Sequence, residues 1–317
     1  MISKTSHHRV RIPLGERFAD LWIFMGDRQH ILFDSGTSGT LVNSVLPALE
    51  SLGFGAQNID AVVISHLDVD HCGEAGNIRS VFPNAVTIAH EADHAAISDW
   101  DTFSAQRGRE FAEGWGLDES PEAMAWMREV FVPGPVDKVL TSEITMNLDD
   151  GRPLEVWHVP GHSLGHLAIY DSELDTLAIS DAILGNAVPL ADGTPSFPPT
   201  YRHVDSYMST ISRVRELAPH TLLTAHYGDF KGDGVSVFLD ESEAFVHKLE
   251  AIVRDAITEK PKTLEDLVHE INPLVATWPT EGTYTALAFP VAGHLEQLYG
   301  TQEISRLDGP RGWEWAR

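Results

Sequence analysis

The sequence predicts an α/β fold. Over residues 1–232, short β-branched apolar runs alternate with segments of helical spacing, and the strand-like runs repeatedly stop at aspartate or histidine beside glycine. Beyond residue 232 the apolar residues keep helical spacing, so a small helical extension over 233–317 is expected. At 317 residues the chain has ample length for one large sheet-based domain with such an appendage.

Between residues 9 and 36 the runs are short, and Asp20-Leu21-Trp22-Ile23-Phe24-Met25 turns through Gly26-Asp27 into His30-Ile31-Leu32-Phe33. This is the pattern of an antiparallel hairpin. The second run stops at Asp34-Ser35-Gly36, where Asp34 reads either as a turn former or as a carboxylate that orients a neighbouring loop. Leu41, Val45, Leu49 and Leu52 then follow a helical period that stops at Gly53, as a glycine-capped helix does.

Ala61-Val62-Val63-Ile64 reads as a buried strand that delivers Ser65-His66-Leu67-Asp68-Val69-Asp70-His71-Cys72-Gly73 at its C-terminal end. His66, Asp68, Asp70 and His71 place four metal-competent side chains within one loop, a density that packing does not require. Imidazole and carboxylate in alternation suit a borderline or hard divalent cation, and together with the ligand types met later in the chain they exceed what one ion uses. Two ions are therefore expected. Cys72 reads as a small buried side chain.

Residues 76–81 and 85–89 continue as a short helix and a strand. A long helical segment follows over 91–133, bearing Trp100, Phe103, Phe111, Trp115, Trp126 and Phe131, and it reads either as a lid-like insertion or as core. His90 and His94, four apart on one helical face, read as capping or surface groups and not as ligands.

Strand signals resume over 139–148 and 154–159, the second leading into Pro160-Gly161-His162-Ser163-Leu164-Gly165-His166. The two glycines permit close backbone approach, so His162 can be thrust toward a centre while His166 orients or packs. Thr176-Leu177-Ala178-Ile179-Ser180 stops at Asp181, and Thr221-Leu222-Leu223-Thr224-Ala225 stops at His226-Tyr227-Gly228. Four strands thus end in ligand-type residues. In the tail, 237–257 reads as a long helix, Thr263 as the N-cap of another, and 290–299 as a third ending at Gly300.

The formal net charge of −25 repels nucleic-acid phosphates and anionic membranes, and the basic residues of 202–215 are interrupted by acidic and apolar ones. No nucleic-acid or membrane partner is expected. One cysteine excludes an internal disulfide and fits a reducing compartment. The first eleven residues lack an apolar leader segment and no run of about 18 apolar residues occurs, so a cytoplasmic protein is expected.

The ordered set His66-x-Asp68-x-Asp70-His71, Pro160-Gly161-His162, Ser180-Asp181 and His226-Tyr227-Gly228 resembles the metallo-β-lactamase superfamily over about residues 9–232. The resemblance implies an αββα sandwich, with residues 1–232 as catalytic domain and 91–133 inserted in it. It implies a first metal site of His66, Asp68 and His162, a second of Asp70, His71 and His226, and Asp181 between them. Asp68 departs from the usual pattern, which has histidine there. Zn is the expected metal, but three aspartates offset three of the four charges of two divalent ions and make an oxygen-richer site that suits Mn or Fe, which stay open. The tail resembles the extension of the β-lactamase-like 2 hydrolases and is expected to wall the site or to form a homodimer interface.

The implied activity is hydrolysis of a small-molecule ester, lactone or thioester by a hydroxide shared between the two ions, with Asp70 as proton shuttle as well as ligand. Iron-dependent oxygen or sulfur chemistry and cleavage of a small phosphodiester remain open on the same residues.

Overall fold

The short apolar runs pair, among the described residues, into two six-stranded sheets. The computed structural model describes residues 7–275 and 284–317, so the start of the N-terminal stretch read above for a leader lies outside them. The first sheet holds β1 His7–Leu14, β2 Arg17–Met25, β3 His30–Phe33, β4 Ile59–Val63, β5 Val86–His90 and β6 Lys138–Leu140 in chain order. β1 to β3 form an antiparallel meander, and β3 to β6 are parallel. The second contains β7 Ile144–Asn147, β8 Pro153–His158, β9 Leu167–Asp171 and β10 Thr176–Ser180. After a ribbon of β11 Val188–Pro189 and β12 Pro195–Phe197, it is completed by β13 Thr221–Thr224 and β14 Asp229–Lys231, in the order β14-β13-β10-β9-β8-β7.

Both faces of the central strands are covered, which is why β3, β10 and β13 read as continuous apolar runs. In β3, Ile31 and Phe33 join Val156, Ile169 and Leu223 of the other sheet in the central core, while Leu32 packs outward; β4 repeats this with Ala61 and Val63 inward and Val62 outward. The outward residues of the first sheet meet Leu41 and Val45 of a π-helical turn, α1 Leu46–Ser51, α2 Val69–Cys72 and α3 Ile78–Val81. The insertion adds α4 His94–Ser98, α5 Trp100–Phe103 and α6 Pro121–Val130. The second sheet is covered by α7 Val204–Leu217, α8 Asp233–Ala256, α9 Leu264–Val275 and α10 Tyr284–Gly300. The result is an αββα sandwich.

Four local expectations need correction. The insertion is not one long helix: α4 and α5 are followed by a π-helical turn Ser104–Gly108 and an irregular stretch in which Gly114 and Gly116 adopt φ of +78° and +72°, conformations a helix cannot contain. His90 ends β5 and stacks on His158 with ring centroids 4.0 Å apart, so it shares no helical face with His94. The run 139–148 is split between β6 and β7 because the chain crosses there from one sheet to the other. The tail is not wholly helical either, since β15 Lys262–Thr263, β16 Ser305–Gly309 and β17 Gly312–Ala316 form a small sheet.

Thr263 caps α9 as expected: its hydroxyl accepts from Asp266 N at 3.2 Å while its own N–H donates to Asp266 Oδ2 at 3.1 Å. Pro290 lies inside α10 and not at its start, because burial of Leu287, Ala288, Val291 and Ala292 against α7, α8 and α9 outweighs one lost backbone donor. Among the described residues no helix is long and apolar enough to cross a membrane.

Candidate metal centre

One rim of the sandwich gathers the strand ends. β3 and β4 are parallel, β10 and β13 are parallel, and β8 runs with β10 because each is antiparallel to β9 between them. The loop after β4 carries His66 and Asp68, and α2 carries Asp70 and His71. His162 follows β8, Asp181 follows β10 and His226 follows β13.

These seven residues, all expected from the sequence, converge. His66, Asp68 and His162 have donor atoms within 4.8 Å of one another, as do Asp70, His71 and His226, and a third grouping joins His66 and His71 to Asp181. Asp68 Oδ2 lies 3.1 Å from His162 Nε2 and 3.5 Å from His66 Nε2. Asp70 Oδ2 lies 3.5 Å from His71 Nε2 and 3.6 Å from His226 Nε2, and Asp181 Oδ2 lies 3.5 and 3.2 Å from the same two nitrogens.

Each imidazole is held by its far side. His226 Nδ1 donates to Phe18 O at 2.7 Å, His71 Nδ1 to Asp34 Oδ2 at 2.9 Å and His66 Nδ1 to Ser65 Oγ at 2.9 Å, with Thr200 Oγ1 3.4 Å from His162 Nδ1. A proton fixed on Nδ1 leaves the Nε2 lone pair facing the centre. His66 Nε2, His71 Nε2 and Asp181 Oδ1 are buried with no hydrogen-bond partner in the structure, a costly arrangement unless something else occupies them. Orphaned imidazole lone pairs beside carboxylates fit divalent cations, which take nitrogen and oxygen donors together.

The electrostatics follow from burial and proximity. Burial, reinforced by His71, lowers His66 to about 4 and so keeps its imidazole neutral. Burial alone would raise Asp70, but His71 and His226 overcome it and hold the carboxylate at about 2. His166 is driven well below the ordinary histidine range by burial; its ring stacks on His66 at 4.6 Å and its Nδ1 donates to Leu167 O, so it packs.

Asp34 both turns the chain, with φ +72°, and orients the metal loop: Oδ1 accepts from Ser65 N at 2.7 Å, and Oδ2 accepts from His71 and from Ser180 Oγ at 2.9 Å. A relay thereby runs from His66 Nδ1 through Ser65 Oγ and Ser180 Oγ to Asp34. Ser65 and Ser180 were missed in the sequence, although they adjoin the candidate ligands His66 and Asp181. Asp93 was missed too. It accepts from Ser163 Oγ at 2.7 Å and Gly165 N at 2.9 Å, and burial raises it to about 6.

The expectation that the chain lacks a Gly-x-Ser-x-Gly nucleophile elbow also needs correction, since Gly161-His162-Ser163-Leu164-Gly165 has that spacing. Ser163 is buried and its hydroxyl is committed to Asp93, so the serine anchors the loop that carries His162. Gly161 sits at φ +146°, where a Cβ would come within 2.5 Å of the Tyr207 backbone. Gly161→Ala is therefore expected to destabilise the protein by roughly 3 kcal/mol or more. An unchanged denaturant midpoint would show that the backbone has room there.

Arg107, from the π-helical turn of the insertion, was likewise invisible in the sequence. It forms a two-pronged ion pair with Asp68, Nη2 donating to Oδ2 at 2.6 Å and Nε to Oδ1. An apolar cleft opens above the centre, bounded by Leu14, Phe103, Trp126, Met127, Phe197 and Phe289, with Asp68, Asp70, Asp181 and His226 at its floor. The insertion therefore serves both readings: Trp115, Phe111 and Phe131 are buried in core clusters, whereas Trp126 and Met127 wall the cleft.

A family model described as the metallo-beta-lactamase superfamily matches residues 14–226. Acyl-coenzyme A thioesterase MBLAC2 of Gallus gallus is 26% identical over 225 residues, covering 67% of this chain and 73% of that protein. Among solved structures, a metallo-beta-lactamase family protein of Thermus thermophilus superimposes with a TM-score of 0.74 at 21% identity, covering 98% of both chains. A beta-lactamase domain protein of Burkholderia ambifaria gives 0.71 at 19% identity, over 100% of this chain and 92% of that one. The shared fold thus includes the tail.

Proposed function

This chain belongs to the metallo-β-lactamase superfamily and is a metal-dependent hydrolase, and we propose that it binds two divalent ions and cleaves a thioester or related small ester or lactone. The observation that carries the reading is the convergence of four imidazoles with Asp68, Asp70 and Asp181 at the floor of an apolar cleft, two of the imidazole Nε2 atoms being buried without partners. Thioester is favoured within the ester class by the relatives named acyl-coenzyme A thioesterase and by the apolar walls, which suit an acyl chain.

In this reading His66, Asp68 and His162 would hold one ion and Asp70, His71 and His226 the other, with Asp181, which groups with His66 and His71, as the further carboxylate donor. Bound ions of this kind supply an activated water and polarise the carbonyl under attack. The chain's own residues do the rest. Asp70 lines the cleft floor with Oδ2 toward both His71 and His226, and there it moves the proton from water to the leaving group. Phe103, Trp126 and Phe289 exclude water from the acyl chain. Residues 1–232 act as the catalytic domain, and the tail closes the cleft through Thr285, Ala286 and Phe289.

The test is a panel of acyl-CoA thioesters of increasing chain length, lactones and phosphodiesters, assayed before and after chelation with metal content measured in parallel. We expect about two ions per chain, kcat/KM higher for medium-chain than for acetyl thioesters, and activity lost on chelation and restored by Zn or Mn. Turnover confined to phosphodiesters, or undiminished after metal removal, would refute the reading.

A further inference from the structure

The insertion delivers one cation to the floor of the cleft. Arg107 leaves only 11% of its side chain exposed, and its guanidinium lies 3.9 Å over the ring of Phe289 from α10. Stacking on the tail and the fork to Asp68 together fix its plane. Its Nη2 donates to Asp68 Oδ2 and lies 3.4 Å from His162 Nε2, so the guanidinium meets the atom that also faces His162 and His66.

A carboxylate with one oxygen toward two imidazoles and both oxygens toward an arginine is neither a plain surface ion pair nor a free ligand. We infer that Arg107 is the positioning residue of the first metal site, neutralising Asp68 and fixing its plane so that an ion among His66, Asp68 and His162 meets a donor set without net charge. The inference rests on the metal-site reading proposed above.

The chemistry distinguishes this role from two others. Were Arg107 a clamp for an anionic substrate, its removal would raise KM and leave metal preference alone. Were it only a wall residue, its removal would act alike whatever stands at position 68. As a partner of Asp68, it withdraws donor strength from an oxygen ligand. Without it, that oxygen becomes harder and more negative, which favours Mn over Zn.

The experiment measures Zn and Mn affinities by competition with a chromophoric chelator, with metal content and KM, for the parent, Arg107→Met, Arg107→Lys, Asp68→His and the double variant. Arg107→Met is expected to shift the Mn-to-Zn affinity ratio of the site formed by His66, Asp68 and His162 about tenfold toward Mn, the order expected of one uncompensated charge near a partly buried ion. Arg107→Lys keeps the charge and should stay within about threefold of the parent. In the Asp68→His background, where no carboxylate remains to neutralise, the same Met substitution should leave the ratio unchanged.

Arg107→Gln replaces the methionine variant should that one fail to fold. An unchanged ratio in folded Arg107→Met, or an equal shift in both backgrounds, overturns the inference while leaving the metal-site reading intact. A parent that binds neither ion overturns both.

Discussion

Asp70→Ala is expected to lower kcat by ~10³-fold or more and to reduce bound metal from two ions per chain to one, corresponding to about 4 kcal/mol of lost transition-state stabilisation. On the proposed mechanism the residue combines two functions that alanine cannot supply. Its Oδ2 lies 3.5 and 3.6 Å from His71 Nε2 and His226 Nε2, so its removal takes one of the three donors proposed for that site and leaves Asp181 as the carboxylate near both imidazoles. It also lines the cleft, where the proposed mechanism has a proton leave the attacking water. Asp70→Asn separates the two, because the amide keeps the shape and one oxygen but gives up the charge. We expect it to retain more metal than Asp70→Ala while remaining nearly as slow. Elemental analysis alongside single-substrate kinetics checks both, and a kcat within tenfold of the parent in Asp70→Ala would remove Asp70 from the reaction.

The residues that were legible share one property: their evidence is local. Ala61 to Ile64 is β-branched and apolar because β4 is buried on both faces, and the ligand-dense loop follows it without a gap. The continuous apolar runs of β3 and β4 likewise encode the sandwich, since residues on both faces need a layer to pack against. What the sequence hid depends on partners far along the chain. Ser180 reaches Asp34 across 146 residues and Arg107 reaches Asp68 across 39, and neither sits in a pattern that marks it. Arg107 further depends on a π-helical turn, whose period is neither that of a helix nor that of a strand.

The terminal hairpin shows a different obstruction. β16 is exposed along most of its length and carries Arg306 and Asp308, so it lacks the apolar alternation by which strands are read. Its pairing instead draws on β17, whose Trp315 is buried against Trp115 of the insertion. The split of 139–148 between the two sheets was hidden for the opposite reason: both halves look like strand, and only the packing of Leu140 and Leu148 in the central core reveals a crossover.

Asp34→Ala should have the largest effect on the protein itself, costing roughly 3 to 5 kcal/mol of stability in the metal-free state and about 10 to 100-fold in metal affinity. Its carboxylate is buried and accepts from Ser65 N, His71 Nδ1 and Ser180 Oγ; alanine leaves Ser65 N without that acceptor and leaves His71 Nδ1 and Ser180 Oγ, 3.0 Å apart, only each other. Alanine at φ +72° adds backbone strain that aspartate tolerates better. The affinity loss has a separate origin. His71 is aimed by its Nδ1 bond to Asp34, and without that bond its tautomer and ring plane are free to change. Asp34→Asn divides the two effects, since asparagine accepts the left-handed backbone and can still receive the Ser65 N–H, but its amide nitrogen cannot accept from His71. The stability loss should therefore be smaller in Asp34→Asn, and the affinity loss nearly as large. Denaturant unfolding in chelator and metal competition at neutral pH give the two numbers independently. Equal metal affinity in Asp34→Asn and the parent would mean that burial alone fixes His71, and that the role of Asp34 is confined to the turn.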